Sequence, residues 1–122
     1  MTNTKKELLI GIVGPCSSGK STLVAGLKKH MVHARNIAQE HSYVKDMWRR
    51  LINPDLLIFL QVSYPIAQIR RKLNWNLADY EEQGHRLRHA RKLADFYLDT
   101  DLLTPKEVLE AALDFIKESS DA

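Results

Sequence analysis

Residues Gly14-Pro15-Cys16-Ser17-Ser18-Gly19-Lys20-Ser21 fit the pattern G-x-x-x-x-G-K-[ST], and Thr22 follows. This spacing suits a polyphosphate. Two glycines let the backbone wrap closely, so that consecutive N–H groups converge as an anion nest. A helix beginning at Gly19 adds the positive end of its dipole. Lys20 is expected to set a cation on the β- and γ-phosphates, and Ser21 to offer its hydroxyl to Mg²⁺. Thr22 is expected to reach an α-phosphate oxygen. Cys16 reads as a small residue that fits the loop, because phosphoryl transfer there needs no covalent nucleophile.

Such a loop works only between a buried strand and a helix, and its flanks have that character. Residues 7–13 form a short apolar run with β-branched members, which predicts a buried strand. Leu23, Val24 and Leu27 share one face of a helix expected over 19–30. Residues 32–38 are a weaker strand candidate. Between Ser42 and Ile52 the apolar residues Tyr43, Val44, Met47, Trp48, Leu51 and Ile52 predict an amphipathic helix capped by Ser42 and stopped by Asn53-Pro54. The run 56–62 is the strongest strand. A helix is expected over 63–73 with Pro65 in its first turn, a break at 74–76, a very polar helix over 77–93 and a short strand over 95–99. Thr104-Pro105-Lys106-Glu107 is a capping box that opens a final helix. Strands alternating with helices predict an α/β fold, a mostly parallel sheet of about four strands with helices on both faces.

Composition narrows the classes. The chain has 122 residues, 44% hydrophobic and 27% charged, enough for a single domain over 1–122 and too ordered in character for a disordered chain. No apolar run is long enough to span a bilayer, and the N-terminal stretch is not expected to be a secretory signal. One cysteine excludes an internal disulfide and suits a cytoplasmic location. A net charge of +3 agrees with anionic ligands but is too small to argue for nucleic acid by itself. The chain contains no Asn-Lys-x-Asp, no Asp-x-x-Gly and no Leu-Ser-Gly-Gly-Gln, so the signatures of GTPases and of transporter ATPases are missing.

The chain resembles the small P-loop kinases, the group that holds the nucleoside monophosphate, shikimate and adenylylsulfate kinases. Three stretches carry the likeness: 14–22; Pro54-Asp55-Leu56-Leu57-Ile58-Phe59-Leu60-Gln61-Val62-Ser63; and 94–105, Ala94-Asp95-Phe96-Tyr97-Leu98-Asp99-Thr100-Asp101-Leu102-Leu103-Thr104-Pro105. The resemblance implies a three-layer P-loop NTPase fold with a helical lid hairpin, here about 63–93. It implies ATP and Mg²⁺ as cofactors and a small-molecule acceptor as second substrate. It also places adenine beside 99–103, so ATP is expected over GTP. Family members usually have about five strands and a metal-organising acid after the strand beside the loop strand. This chain is shorter, and Gln61 at the end of its strongest strand is neutral. If 32–38 fills the neighbouring position, Gln39, Glu40 and His41 lie at the carboxyl end of the sheet, where ligands bind in this architecture. Glu40 is then the candidate carboxylate, with a solvated loop acid as the other reading.

Within the lid segment the resemblance assigns phosphate contacts to arginines, a role suited to a bidentate, permanently charged group. Arg70 and Arg86 are favoured among Arg70, Arg71, Lys72, Arg86, Arg88, Arg91 and Lys92. The other reading is a solvated face paired with Asp79, Glu81 and Glu82. His85 and His89 have the spacing of zinc ligands but lack a third partner, so they are read as surface. Trp48 is expected in the core and Trp75 as a hinge anchor between the lid helices, with stacking on a ligand as its other reading. The expected activity is that of a Mg²⁺–ATP-dependent phosphotransferase, with a nucleotide-binding or slowly hydrolysing module as the alternative. The catalytic set is Lys20, Glu40, Arg70 and Arg86. The nucleotide set is Gly14, Pro15, Cys16, Ser17, Ser18, Gly19, Lys20, Ser21 and Thr22, with Ser21 on the metal. The chain is expected as a monomer or homodimer; no membrane or nucleic-acid partner is expected.

Overall fold

The structure is a computed structural model and describes residues 7–71 and 75–121. Four strands, β1 (Leu9–Val13), β2 (His33–Asn36), β3 (Leu56–Gln61) and β4 (Phe96–Asp99), form one sheet in the order β2-β1-β3-β4. All three pairings are parallel, with Leu9 opposite His33, Ile10 opposite Leu56 and Ile58 opposite Phe96. The α/β class and the sheet of about four strands agree with the sequence reading. So does the position of β2, beside the strand that feeds the glycine-rich loop.

Strand alternation divides the core into two layers. Ile10, Ile12, Ile58 and Leu60 face α1 (Lys20–Lys29) and α5 (Pro105–Asp121), packing with Leu23, Val24, Leu27, Val108 and Ala112. Val13, Leu57 and Phe59 face the other way, against Trp48, Leu87 and Ala90. The central strands are therefore buried on both faces, which is why they read as continuous apolar runs. The predicted capping box starts α5: Thr104 N donates to Glu107 Oε1 at 2.9 Å and Glu107 N donates to Thr104 Oγ1 at 3.1 Å. A second box, Asn76 with Asp79, starts α3 (Leu77–Arg86).

Three expectations need correction. Residues 42–52 do not form an amphipathic α-helix. The chain makes a 3-10 turn at Gln39–His41, then irregular turns, then a π-helical turn at Trp48–Ile52. Ser42 does not cap a helix; its Oγ accepts from Val44 N at 3.1 Å in a local turn. The cause is Gln39, whose side chain is fully buried. Its Oε1 accepts from Trp48 N at 2.9 Å, and its Nε2 donates to Val44 O at 2.8 Å. These bonds take backbone groups that a helix would have used. Tyr43, Val44 and Leu51 stay exposed, while Trp48 reaches the core as expected.

The helix expected over 77–93 is interrupted at Leu87, giving α3 and α4 (Arg88–Leu93). Gln39 acts here too, since its Nε2 donates to Arg86 O at 3.1 Å. A side chain reaching a helix ladder is a recognised cause of such breaks. The segment 63–93, expected as a lid hairpin, packs in part on the sheet. Leu87 and Ala90 are fully buried against β3, so α3 and α4 form the second helical layer. The first helix of the segment, α2 (Tyr64–Arg70), is shorter than the 63–73 expected; Leu73, like Lys72 and Asn74, lies outside the described residues. Trp75 does anchor this region, packing on Tyr64 and Tyr80 with ring centroids 6.1 and 5.9 Å away.

Candidate functional site

The loop 14–19 leaves β1 through backbone that only certain residues tolerate. Gly14 has φ 153°, and a Cβ there would lie 2.2 Å from Leu60 O. Gly19 has φ 98°, and Ser17 takes a left-handed φ of 68°. The loop is closed by Ser18 N donating to Pro15 O at 3.2 Å. No side chain caps the first turn of α1, so its leading amides stay available at the positive end of the helix.

Lys20 opens α1 but folds back over the loop. Its Nζ donates to Gly14 O at 2.7 Å and Pro15 O at 3.1 Å, and it lies 2.8 Å from Glu40 Oε2. Lys20 is only 7% exposed, and Glu40 is buried as well. The lysine is thus a buried, paired cation and not a solvent-facing one. Glu40 comes from the 3-10 turn after β2, so the adjacency of β2 and β1 creates this pair. Glu40 Oε1, Ser17 Oγ and Ser18 Oγ are buried polar atoms without a hydrogen-bond partner among the described residues. Unpartnered buried polar atoms are uncommon in folded proteins, so their clustering here marks a polar site.

The remaining walls come from the ends of β2 and β4 and from α2. Asn36, closing β2, donates from Nδ2 to Ser21 Oγ at 3.1 Å. Thr100, just past β4, is buried; its Oγ1 donates to Gln61 O at 2.9 Å. Arg70, at the end of α2, donates through Nη1 to Thr100 Oγ1 at 2.9 Å and to Ser17 O at 3.2 Å, and through Nη2 to Thr100 O. Together these groups line a cleft of about 530 Å³ that holds Cys16–Leu23, Asn36, Glu40, His41, Arg70 and Arg71, and continues past Thr100 to Leu103, Pro105 and Val108. That volume falls within the roughly 300–1,000 Å³ of small-molecule sites.

Of the residues singled out from sequence, Lys20, Glu40, Arg70 and most of the loop meet in this cleft; Gly14 and Pro15 lie beneath it, holding Lys20 through their carbonyls. Arg86 is elsewhere. Its guanidinium sits 4.3 Å from the centre of the Tyr43 ring, with Nε 3.2 Å from Glu82 Oε1 and Nη1 3.5 Å from Glu40 O. Arg91 packs over Phe59 and donates to Gln61 Oε1, and Arg88 donates to His85 O. His89 accepts from Trp48 Nε1 at 3.2 Å. Burial holds its pKa below the ordinary 6.5, helped by the positive field of Arg49.

Sequence reasoning missed Asn36, Gln83 and the linking role of Thr100. Gln83 Oε1 accepts from Cys16 N at 3.0 Å while its Nε2 donates to Cys16 Sγ at 3.2 Å, fixing the loop from α3. An amide in a polar helix carries no sequence signal of such a contact. Asn36 had one: it is a polar side chain at the carboxyl end of the strand next to the loop strand.

Chemically, the cleft offers free helix-start amides, one buried ammonium, two hydroxyls without partners and an arginine at the rim. Such groups are suited to an anion, and a carboxylate stands at one end of them. No protein-family model matches the chain, and no curated protein is significantly similar to it. Among the described residues, no helix is long and apolar enough to cross a membrane.

Proposed function

We propose that the chain is a P-loop phosphotransferase that binds Mg²⁺–ATP in this cleft and transfers phosphate to a small-molecule acceptor. The observation that supports it best is the Lys20–Glu40 pair set over a glycine loop at the carboxyl end of a parallel sheet. In the free protein Lys20 rests on Glu40 and two loop carbonyls, all of which a polyphosphate can replace. The free amides of α1 and the unpartnered hydroxyls of Ser17 and Ser18 fit phosphate oxygens, and a Cβ at Gly14 would destroy the cradle. Ser21 is the residue to hold the metal, with Asn36 orienting its hydroxyl. Bound MgATP supplies the transferable phosphoryl group. Lys20 and Arg70 neutralise charge around that group, a catalytic role in which fixed cations are most effective once water is excluded. Glu40, released from Lys20, becomes free to orient the acceptor hydroxyl or a water. Leu103, Pro105 and Val108 give an apolar wall for the base, which favours ATP without strict polar readout.

A second reading is a nucleotide-binding module with slow hydrolysis. It is favoured by the packing of α3 and α4 into the core, which leaves Arg70 and Arg71, among the described residues, as the cleft cations drawn from the helical segment. Calorimetric titration with MgATP tests the binding on which both readings depend. Wild type should bind one equivalent, and Lys20→Met and Lys20→Met/Glu40→Gln should each lose at least about tenfold in affinity. Absence of saturable binding to wild type would overturn both. Product analysis with labelled ATP, with and without a metabolite mixture, separates transfer from hydrolysis.

A further inference from the structure

Cys16, Glu40 and His41 come from the glycine loop and the 3-10 turn, and their donor atoms all lie within 4.8 Å of one another. Cys16 Sγ is 3.8 Å from His41 Nε2, and the same nitrogen is 3.7 Å from Glu40 Oε2. Ligands of a tetrahedral Zn²⁺ at ordinary bond lengths stand about 3.4–3.6 Å apart, so the two gaps to His41 exceed this by only a few tenths of an ångström, and the Cys16–Glu40 pair stays within 4.8 Å. We propose that this cluster is a binding site for a borderline-soft divalent cation of the Zn²⁺ class, with Cys16, Glu40 and His41 as its ligands.

A second observation concerns the carboxylate of the cluster. Glu40 is buried, and its Oε1 has no partner while Oε2 is held by Lys20. The oxygen nearest His41 is Oε2, which Lys20 also holds, so a metal there would share that oxygen with the lysine or displace it, while Oε1 stays without a partner on the same carboxylate. Gln83 supports the first ligand from behind, donating to Cys16 Sγ and accepting from Cys16 N. Such contacts orient a thiolate and are typical of metal ligands. The donor set decides the class of cation. Thiolate and imidazole select Zn²⁺ or its neighbours, whereas Mg²⁺ takes oxygen ligands alone. His41 is exposed enough to swing onto the ion, and the three ligands border the cleft, leaving a fourth position open to water or an anion. The site is distinct from the Ser21 position proposed for Mg²⁺.

The test uses the full chain, stripped with chelator and free of nucleotide, so its outcome does not depend on the phosphotransferase reading. Equilibrium dialysis against Zn²⁺ should give one equivalent per chain. Co²⁺ should give a near-ultraviolet thiolate charge-transfer band that Cys16→Ser abolishes. Loss of a partner behind a ligand costs about 10–100-fold in affinity, so His41→Ala should cost at least tenfold. His41 is exposed, so this variant does not disturb the core; matching far-ultraviolet circular dichroism confirms that. His85→Ala, away from the cluster, should bind like wild type. Absence of saturable binding overturns the proposal. So does stoichiometric binding that survives both Cys16→Ser and His41→Ala, or that is lost in His85→Ala instead.

Discussion

The two faces of the sheet are built differently. On one, α1 and α5 lay regular apolar stripes over Ile10, Ile12, Ile58 and Leu60. On the other, a 3-10 turn, a π-helical turn and a broken helix cover Val13, Leu57 and Phe59, pinned by the buried amide of Gln39. The regular face holds by buried apolar area. The irregular face holds by a few directional bonds, and it delivers Glu40, His41 and Gln83 to the glycine loop. A site needing a buried acid beside a buried lysine is easier to build from turns, because a turn can aim one side chain inward without committing a whole helical face.

Breaking the link between the faces should have the largest effect. Lys20→Met removes the buried cation that pairs with buried Glu40, at a cost of about 3–5 kcal/mol. Lys20→Met/Glu40→Gln should recover most of that loss, read as the urea midpoint, while nucleotide affinity stays low in both. If the double variant is no more stable than the single one, the pair does not carry the interaction described.

A second comparison sets Gln39→Ala against Leu27→Ala. The first orphans groups of Trp48, Val44 and Arg86, each worth about 1–3 kcal/mol, so a loss of about 3 kcal/mol or more is expected. Leu27→Ala should cost about 2–5 kcal/mol by cavity formation. The difference lies in binding: Gln39→Ala should also weaken MgATP, since Glu40 follows it in the chain, and Leu27→Ala should not. Equal effects on affinity would erase the distinction between the faces.

Among the arginines, Arg70→Ala should lower kcat by about tenfold or more, some 1.4 kcal/mol, with a smaller change in nucleotide Kd. Arg86→Ala and Arg91→Ala, held by Tyr43 and Glu82 or by Phe59 and Gln61, should change turnover less than that. Single-turnover assays of the three decide it, and a larger loss at Arg86 would move the catalytic cation to the irregular face.

The smallest effect expected is a pH dependence of the irregular face. His89 has its folded pKa depressed by burial, then by Arg49, with Asp46 opposing and Lys45 and Arg88 adding to the depression. Folding therefore disfavours its protonation. Its contribution is complete above the ordinary 6.5 and is lost as pH falls through that value towards the folded pKa. The thermal midpoint should drop between about pH 7.5 and about pH 5.5, and His89→Gln should flatten part of that drop. An unchanged slope in the variant removes His89 from the account.

The sequence by itself determined the loop, the strands and the regular helices. Their signals are local: glycines at fixed spacing, apolar runs in β1 and β3, the stripe in α1, the box at Thr104 and Glu107. It also indicated that Glu40 would stand at the carboxyl end of the sheet once β2 lay beside β1. Only the tertiary structure decided that residues 42–52 are not a helix, that 77–93 breaks at Leu87, that Lys20 is buried, and that Arg70 and not Arg86 borders the cleft. Each depends on contacts between residues far apart in the chain: Gln39 with Arg86, Lys20 with Glu40, Arg70 with Thr100. Hydrophobic periodicity records which side of an element is buried. It does not record which distant amide or carboxylate will take a backbone group or a charge, and here those few directional bonds shape the site.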